Sequence, residues 1–280
     1  MHDKTFWQTL AENQYHLPDD APLNELTGEL LAYLRSPDPE LRDDIAYTTL
    51  TQWIIGGRYT PEQLRAMMRR WQADLHSGLG EQGTNSVITR SFAALMLSII
   101  AYRDWKEPFL TDEEARALLD AALDYFLREQ DVRGYDDQLG WLHSVAHTAD
   151  LLKFLARSPK TSAEDLQRIL RATAEKVTAP RPTVFTHSED ERLAWVILDV
   201  LRRDTLKAET LSEWLERLTR ITQQDGQSDT GLRDSDYHGT YQNTKHFLRS
   251  VYFRLAYSEE LPGAHDLQEQ LFEKLRLFLK

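Results

Sequence analysis

Asp38-Pro39-Glu40-Leu41-Arg42-Asp43-Asp44-Ile45-Ala46-Tyr47-Thr48-Thr49-Leu50-Thr51-Gln52-Trp53-Ile54-Ile55-Gly56-Gly57 reads as one helix from start to stop. Asp38 is an N-cap, its carboxylate free to accept from the unpaired N–H groups of a first turn. Pro39 occupies the first helical position, where its missing N–H costs nothing. Leu41, Ile45, Leu50, Trp53 and Ile54 supply an apolar stripe, and Gly56-Gly57 ends it. The same start signal recurs at Thr60-Pro61-Glu62, where Thr60 and Gln63 make a capping box, and at Thr111-Asp112-Glu113-Glu114 and Thr161 to Glu164. Further helices read from about Asn85, Leu139, Glu189, Ala208, Thr240 and His265, and Leu23 to Leu34 carries another stripe. No stretch alternates convincingly as a strand; the short Pro182 to Phe185 comes nearest.

The fold class expected is therefore all-α, as stacked αα-hairpins. Within the helical pattern, Ile45-Ala46, Phe92-Ala93, Val145-Ala146, Leu193-Ala194 and Phe247-Leu248 recur at intervals of about 50 residues, the signature of an α-solenoid or a closed α/α toroid. Ser36 to Arg42 resembles the turn of a HEAT-type repeat. With no Pro/Ser-rich linker, residues 1–280 read as a single helical-repeat domain with its first and last helices as caps.

The composition sets limits on chemistry. The 280 residues include no cysteine, which removes disulfides, thiolate nucleophiles and cysteine-bearing zinc sites. A net charge of −12 repels phosphate backbones, so nucleic acid is not an expected partner. Met1 to Leu10 has no apolar core of a signal peptide, and the longest apolar run, Phe92 to Tyr102, is shorter than the ~20 residues that span a bilayer. The expectation is a cytoplasmic protein that engages no membrane.

Chemistry-bearing residues concentrate between Glu129 and Asp150. His143, His147 and Asp150 stand at i, i+4 and i+7, on one face of a helix. Opposite them lie Trp141, Leu142, Val145 and Ala149, and Lys153 is the one long charged side chain from Trp141 to Ala156. A helix covered on both sides, with a polar stripe on an enclosed groove, follows. Two histidines and a carboxylate at this spacing are ligand geometry for a divalent metal, with His187, Glu189 or Asp190 as a fourth ligand. The same residues also serve as an internal hydrogen-bonded brace, or as a metal-free site. Arg90, in a helix apolar nearly all round, requires a buried carboxylate partner from among Glu129, Asp131 and Asp150. Aligned on the repeat, Asp43, Arg90, His143, Glu191 and Lys245 would form a row along one surface. The candidate groove thus comprises Arg90, Glu129, Asp131, Arg133, Trp141, His143, His147, Asp150, Glu189 and Lys245, with His143, His147 and Asp150 as the metal set. Asp229, Asp234 and Asp236 read as a solvated acidic loop. No phosphate loop, nucleophile elbow or dinucleotide fingerprint occurs, and no resident cofactor is expected apart from that metal.

Glu129-Gln130-Asp131-Val132-Arg133-Gly134-Tyr135, then Gly140-Trp141-Leu142-His143 and His147-x-x-Asp150, resemble a bacterial family catalogued as domain of unknown function 2785. Phe185 to Arg192 and Asn243 to Leu255 fit the same likeness, which spans about Leu23 to Tyr257. The resemblance implies an all-helical fold and a bacterial cytosolic source, and it implies no activity. The Gly140-Trp141-x-His143 string is also similar to one near the zinc of lanthionine cyclases, which are α/α toroids. This chain has none of the cysteine which that likeness implies as a ligand, and fold-level analogy carries no activity across. Two functions stay open: a helical-repeat protein binding a protein, peptide or small polar ligand in a concave groove, and a metal-dependent or His-based hydrolase or lyase using His143, His147 and Asp150.

Overall fold

The computed structural model describes residues 2–17, 21–223, 234–258 and 261–279. Twelve α-helices account for most of them: α1 (Lys4–Glu12), α2 (Leu23–Tyr33), α3 (Thr48–Ile55), α4 (Pro61–Asp74), α5 (Ser86–Lys106), α6 (Asp112–Arg128), α7 (Ser144–Arg157), α8 (Ala163–Thr178), α9 (Glu189–Leu201), α10 (Ala208–Thr219), α11 (Ser235–Tyr257) and α12 (Ala264–Arg276). Among the described residues the fold is all-α apart from one antiparallel hairpin, β1 (Tyr135–Asp136) and β2 (Gly140–Trp141), in which Tyr135 pairs with Trp141.

The local chemistry explains the boundaries. Thr60 and Thr111 make complete capping boxes with Gln63 and Glu114, and Ser162 makes a third with Asp165. Gly57, just past α3, takes φ +71°, a conformation that favours glycine and ends the helix there. Two local readings change. Asp38 does accept from the N–H groups of Glu40 and Leu41 (3.0 and 3.4 Å), but the helix it opens is a π-helix over Glu40–Tyr47 that continues as α3. The helix expected from Leu139 begins instead at Ser144, because Gly140 and Trp141 are drawn into the hairpin. Pro182 to Phe185 forms no strand. In the acidic segment near Asp229, Asp234 caps α11, and residues 224–233 lie outside the described part of the chain.

Two layers of helices pack side by side. In one, α5 packs on α7, α7 on α9 and α9 on α11; in the other, α6 packs on α8, α8 on α10 and α10 on α12. A continuous cluster of buried apolar side chains runs from Trp7 to Phe278 between and around them. α5 is flanked by α4, α7 and α3, so its residues from Val87 to Ala101 are buried almost without interruption. By length and composition α5 could cross a membrane, but 78% of its apolar window is covered by protein.

α5 carries a guanidinium into this core. Arg90, with 0% exposure, pairs with Glu129 through both ends of its fork (2.5 and 3.0 Å). Its remaining N–H groups go to Ser77 O, Gly78 O and Ser86 Oγ. The Lys176 ammonium donates to the Glu129 carbonyl oxygen at 2.9 Å, and burial pushes its pKa down to about 7. Removing one partner of a buried pair strands the other charge. Arg90→Met should therefore cost about 3–5 kcal/mol in urea denaturation; an effect below about 1 kcal/mol would mean that the pair does not brace α5 to the end of α6.

Candidate functional site

The segment between α6 and α7 has almost no secondary structure of its own, so its backbone groups must find partners elsewhere. Asp131 accepts from Gly83 N and from Arg133, and its carbonyl accepts from Ser144 Oγ. Gly134 O accepts from Leu142 N and His143 N. Gly134 has no room for a side chain: a Cβ there would lie 2.5 Å from both Glu189 Oε1 and His187 Nδ1. Arg42 of the π-helix, with 0% exposure, donates to Leu139 O (2.6 Å), Trp141 O (3.3 Å) and Ser36 O (3.1 Å), and its guanidinium lies 4.8 Å from the centre of the Phe92 ring.

Pinned in this way, the hairpin forms one wall of a cavity of about 610 Å³. The π-helix contributes Asp43 and Tyr47, and α5 contributes Phe92 and Leu95. Trp141 stands on β2, and His143, His147 and Asp150 come from α7 and its N-cap. Thr186, His187, Ser188 and Arg192 close the far side at the start of α9. This volume lies within the ~300–1,000 Å³ usual for small-molecule sites.

Rings crowd its floor. Trp141 lies 4.4 Å from His143 between ring centroids, His143 5.6 Å from His147, and His147 5.2 Å edge-on to Phe92. His187 lies 5.9 Å from Trp141 and 6.4 Å from His143. His143 and Ser188, the N-caps of α7 and α9, both sit in the left-handed region (φ +47° and +65°). Non-glycine residues adopt it rarely and at a cost.

The tautomer of His147 follows from its neighbours. Ser91 Oγ donates to Leu142 O, a group that can only accept. Having one hydrogen, the hydroxyl must then accept from His147 Nδ1 at 2.8 Å. His147 Nε2 therefore carries the lone pair. Burial above all, then the repulsion that His143 when protonated and Arg192 would exert, holds the pKa of His147 well below its ordinary 6.5. Burial, then Arg192 and His187, pushes His143 down to about 4. His143 Nε2 is buried and has no hydrogen-bond partner.

The carboxylates are paired. Asp43 accepts from Arg42 at 3.0 and 3.2 Å, and burial raises its pKa even so. Asp150 accepts from Lys153 at 2.9 Å and from Arg192 Nη1. Among the described residues no three His, Asp or Glu side chains are gathered as a metal-binding group. His143, His147 and Asp150 share the cavity, but Asp150 is turned to its two cations and His147 to Ser91.

The other candidates sit elsewhere. Arg90, Glu129, Asp131 and Arg133 form the scaffold behind the cavity. Glu189, 1% exposed, accepts from His187 N at 2.8 Å, and burial raises its pKa. It thereby holds the approach to α9 from beneath. Lys245 borders a separate cleft with Arg249 and Phe272, and Glu191 pairs with Arg254 at 2.9 Å. Arg42, Ser91, Tyr47 and Arg192 escaped the sequence reading. The signal for Ser91 was available, a hydroxyl next to Arg90 in a helix with few other polar residues.

Because the folded histidines bind protons less readily than the unfolded chain, their contribution is full above pH 6.5 and is lost as pH falls toward the folded values. Between pH 7 and pH 5 the unfolding free energy should drop by up to about 1.4 kcal/mol per pH unit for each. His147→Asn, which keeps a donor for Ser91, should flatten that slope; an unchanged slope would show that His147 titrates normally.

A family model described as "Protein of unknown function (DUF2785)" matches residues 75–253, more than half of the chain and the whole of the segment from α5 to β2 and α7. No curated protein and no solved structure matches it.

Proposed function

The chain belongs to the DUF2785 family, and within it we propose a helical-repeat protein that binds a small polar ligand in the cavity between the π-helix, the hairpin, α7 and α9. One observation carries this reading: His147 lines the cavity with its Nδ1 anchored on Ser91 Oγ, which leaves its Nε2 without a protein hydrogen-bond partner. A buried polar group left unpaired costs about 1–3 kcal/mol, so such a group in a roomy cavity is a place for a ligand atom. The imidazole of His143 stands beside it, and the indole of Trp141 beside that.

The two helical layers support the finer reading of the fold, a solenoid of αα-hairpins with a period of about 50 residues in which residues 1–280 make one domain capped by α1 and α12. The acidic surface supports a partner other than nucleic acid, and the buried α5 supports a protein working in the cytoplasm rather than in a membrane. A protein or peptide partner is less well supported, because the polar groups face a cavity of small-molecule size.

A second reading has its own support. A histidine whose Nδ1–H is anchored and whose Nε2 is free has the arrangement of a general base, so a hydrolase or lyase using His147, with Arg192 near developing negative charge, is the alternative. It needs no metal ligand set.

The test is ligand-observed NMR of a mixture of small metabolites with wild type, Trp141→Ala and His147→Asn. Binding is expected to wild type and to weaken by roughly tenfold or more in both variants. Binding that survives in both would place the ligand elsewhere. Should a bound compound also be consumed by wild type but not by His147→Asn, the hydrolase or lyase reading takes over.

A further inference from the structure

We propose that the cavity is a saccharide site, taking a neutral polyhydroxylated ring laid against the indole of Trp141. This rests on the reading of the cavity as a ligand site and names the chemistry of the occupant.

Charge argues first. Each carboxylate in the wall already has its cation: Asp43 has Arg42, and Asp150 has Arg192 and Lys153. Burial keeps His143 and His147 neutral. An anionic ligand would meet two carboxylates, and Arg192, the arginine in the lining, is already engaged by Asp150. A cationic ligand would have to displace Arg42, a buried guanidinium that also holds the hairpin. A neutral ligand disturbs neither pair.

Hydrogen-bonding capacity argues next. Asp43 and Asp150 keep acceptor lone pairs beyond those used by their cations, and His147 Nε2 can only accept. Against them stand the N–H groups of Arg192 that Asp150 leaves free, and groups of mixed capacity, the hydroxyls of Tyr47, Thr186 and Ser188 and the imidazole of His143. A wall that carries both acceptors and donors suits a ligand with several O–H groups, each able to donate and accept at once. Carbonyl or ether ligands would leave the acceptors unmet.

Shape argues last. Trp141 is 44% exposed although it lines the cavity, and its ring is held by Tyr135 at 4.9 Å and His143 at 4.4 Å. The face of an indole is electron-rich and attracts the slightly positive C–H hydrogens on the flat side of a pyranose. Phe92 and Leu95 add apolar side chains to the lining, beside the acceptors Asp43, Asp150 and His147. A sugar has the same division, an apolar face and a hydroxyl edge.

The experiment is calorimetric titration, with tryptophan fluorescence, of the full chain against glucose, galactose, mannose, N-acetylglucosamine and the β-1,4 and α-1,4 disaccharides of glucose. Sodium phosphate and sodium succinate serve as anionic probes. At least one sugar should bind saturably, and Trp141→Ala, at a position 44% exposed and with its fold checked by the thermal melt, should weaken it by about tenfold or more. Asp150→Asn, the more structural change, is checked by its melt and should weaken binding in the same direction. Binding of phosphate or succinate without any sugar would overturn the saccharide class while leaving a ligand site. Sugar binding indifferent to Trp141→Ala would overturn the location. Binding of none of these probes would overturn the proposal, whereas capture of another metabolite in the NMR screen would still sustain the cavity as a site.

Discussion

The guanidinium of Arg42, fully excluded from water, ties the π-helix near the N-terminus to backbone carbonyls almost a hundred residues later in the chain. Those carbonyls, Leu139 O and Trp141 O, belong to a hairpin too short to stand alone, since an isolated two-stranded hairpin is marginal in water. Without Arg42 they would be short of partners, and Trp141 would have no fixed place. With it, Gly140 can pack so near that a Cβ there would lie 3.0 Å from Pro39. One side chain thereby fixes the wall of the cavity and presents Asp43, its neighbour, to the interior.

The buried charges divide into two sets with different consequences. Arg90, Glu129 and Lys176 are closed in among helices, with their donors directed to Glu129 and to backbone and hydroxyl oxygens. A charge saturated in that way holds elements in register and offers little to a ligand. Asp43, Asp150, His143 and His147 are only half closed in. Asp43, Asp150 and His147 each have one side secured by a protein hydrogen bond, and all four line the cavity. That contrast separates scaffold from site here more clearly than burial does, since Asp131 and His147 are both almost fully buried.

Much of the helical content was legible because capping is local. Thr60 with Gln63 and Thr111 with Glu114 announce their helices within four residues, and Gly56-Gly57 ends one as directly. The π-helix was not legible: Glu40 to Tyr47 has ordinary helical composition, and its register is set by partners distant in sequence. The hairpin was missed for the same reason. Of the site, the spacing of His143, His147 and Asp150 placed three side chains on one face of α7, whereas Trp141 was drawn onto that helix and stands instead on β2. Glu129, Asp131 and Arg133, close to them in sequence, are turned to the scaffold by Arg90 and Gly83. Arg192 could not be paired with Asp150 by any local rule, because 42 residues separate them.

His143 and Ser188 show where local preference and global structure part. Each occupies a left-handed cap that glycine would take without strain, at a cost on the order of 1–2 kcal/mol for a residue with a Cβ. Neither side chain caps its own helix, so the strain is not offset by the bond an N-cap normally supplies. Both border the same cavity. The left-handed turn at His143 places the start of α7 directly after the hairpin, so that its imidazole lies between Trp141 and His147. At Ser188 it lets α9 begin over Glu189, which holds His187 in place. Gln14, Tyr15 and Asp204 also take positive φ, but among the described residues two non-glycine helix starts of this kind meet at one cavity only here. It is the pattern of a chain whose local rules are broken where something other than folding is served.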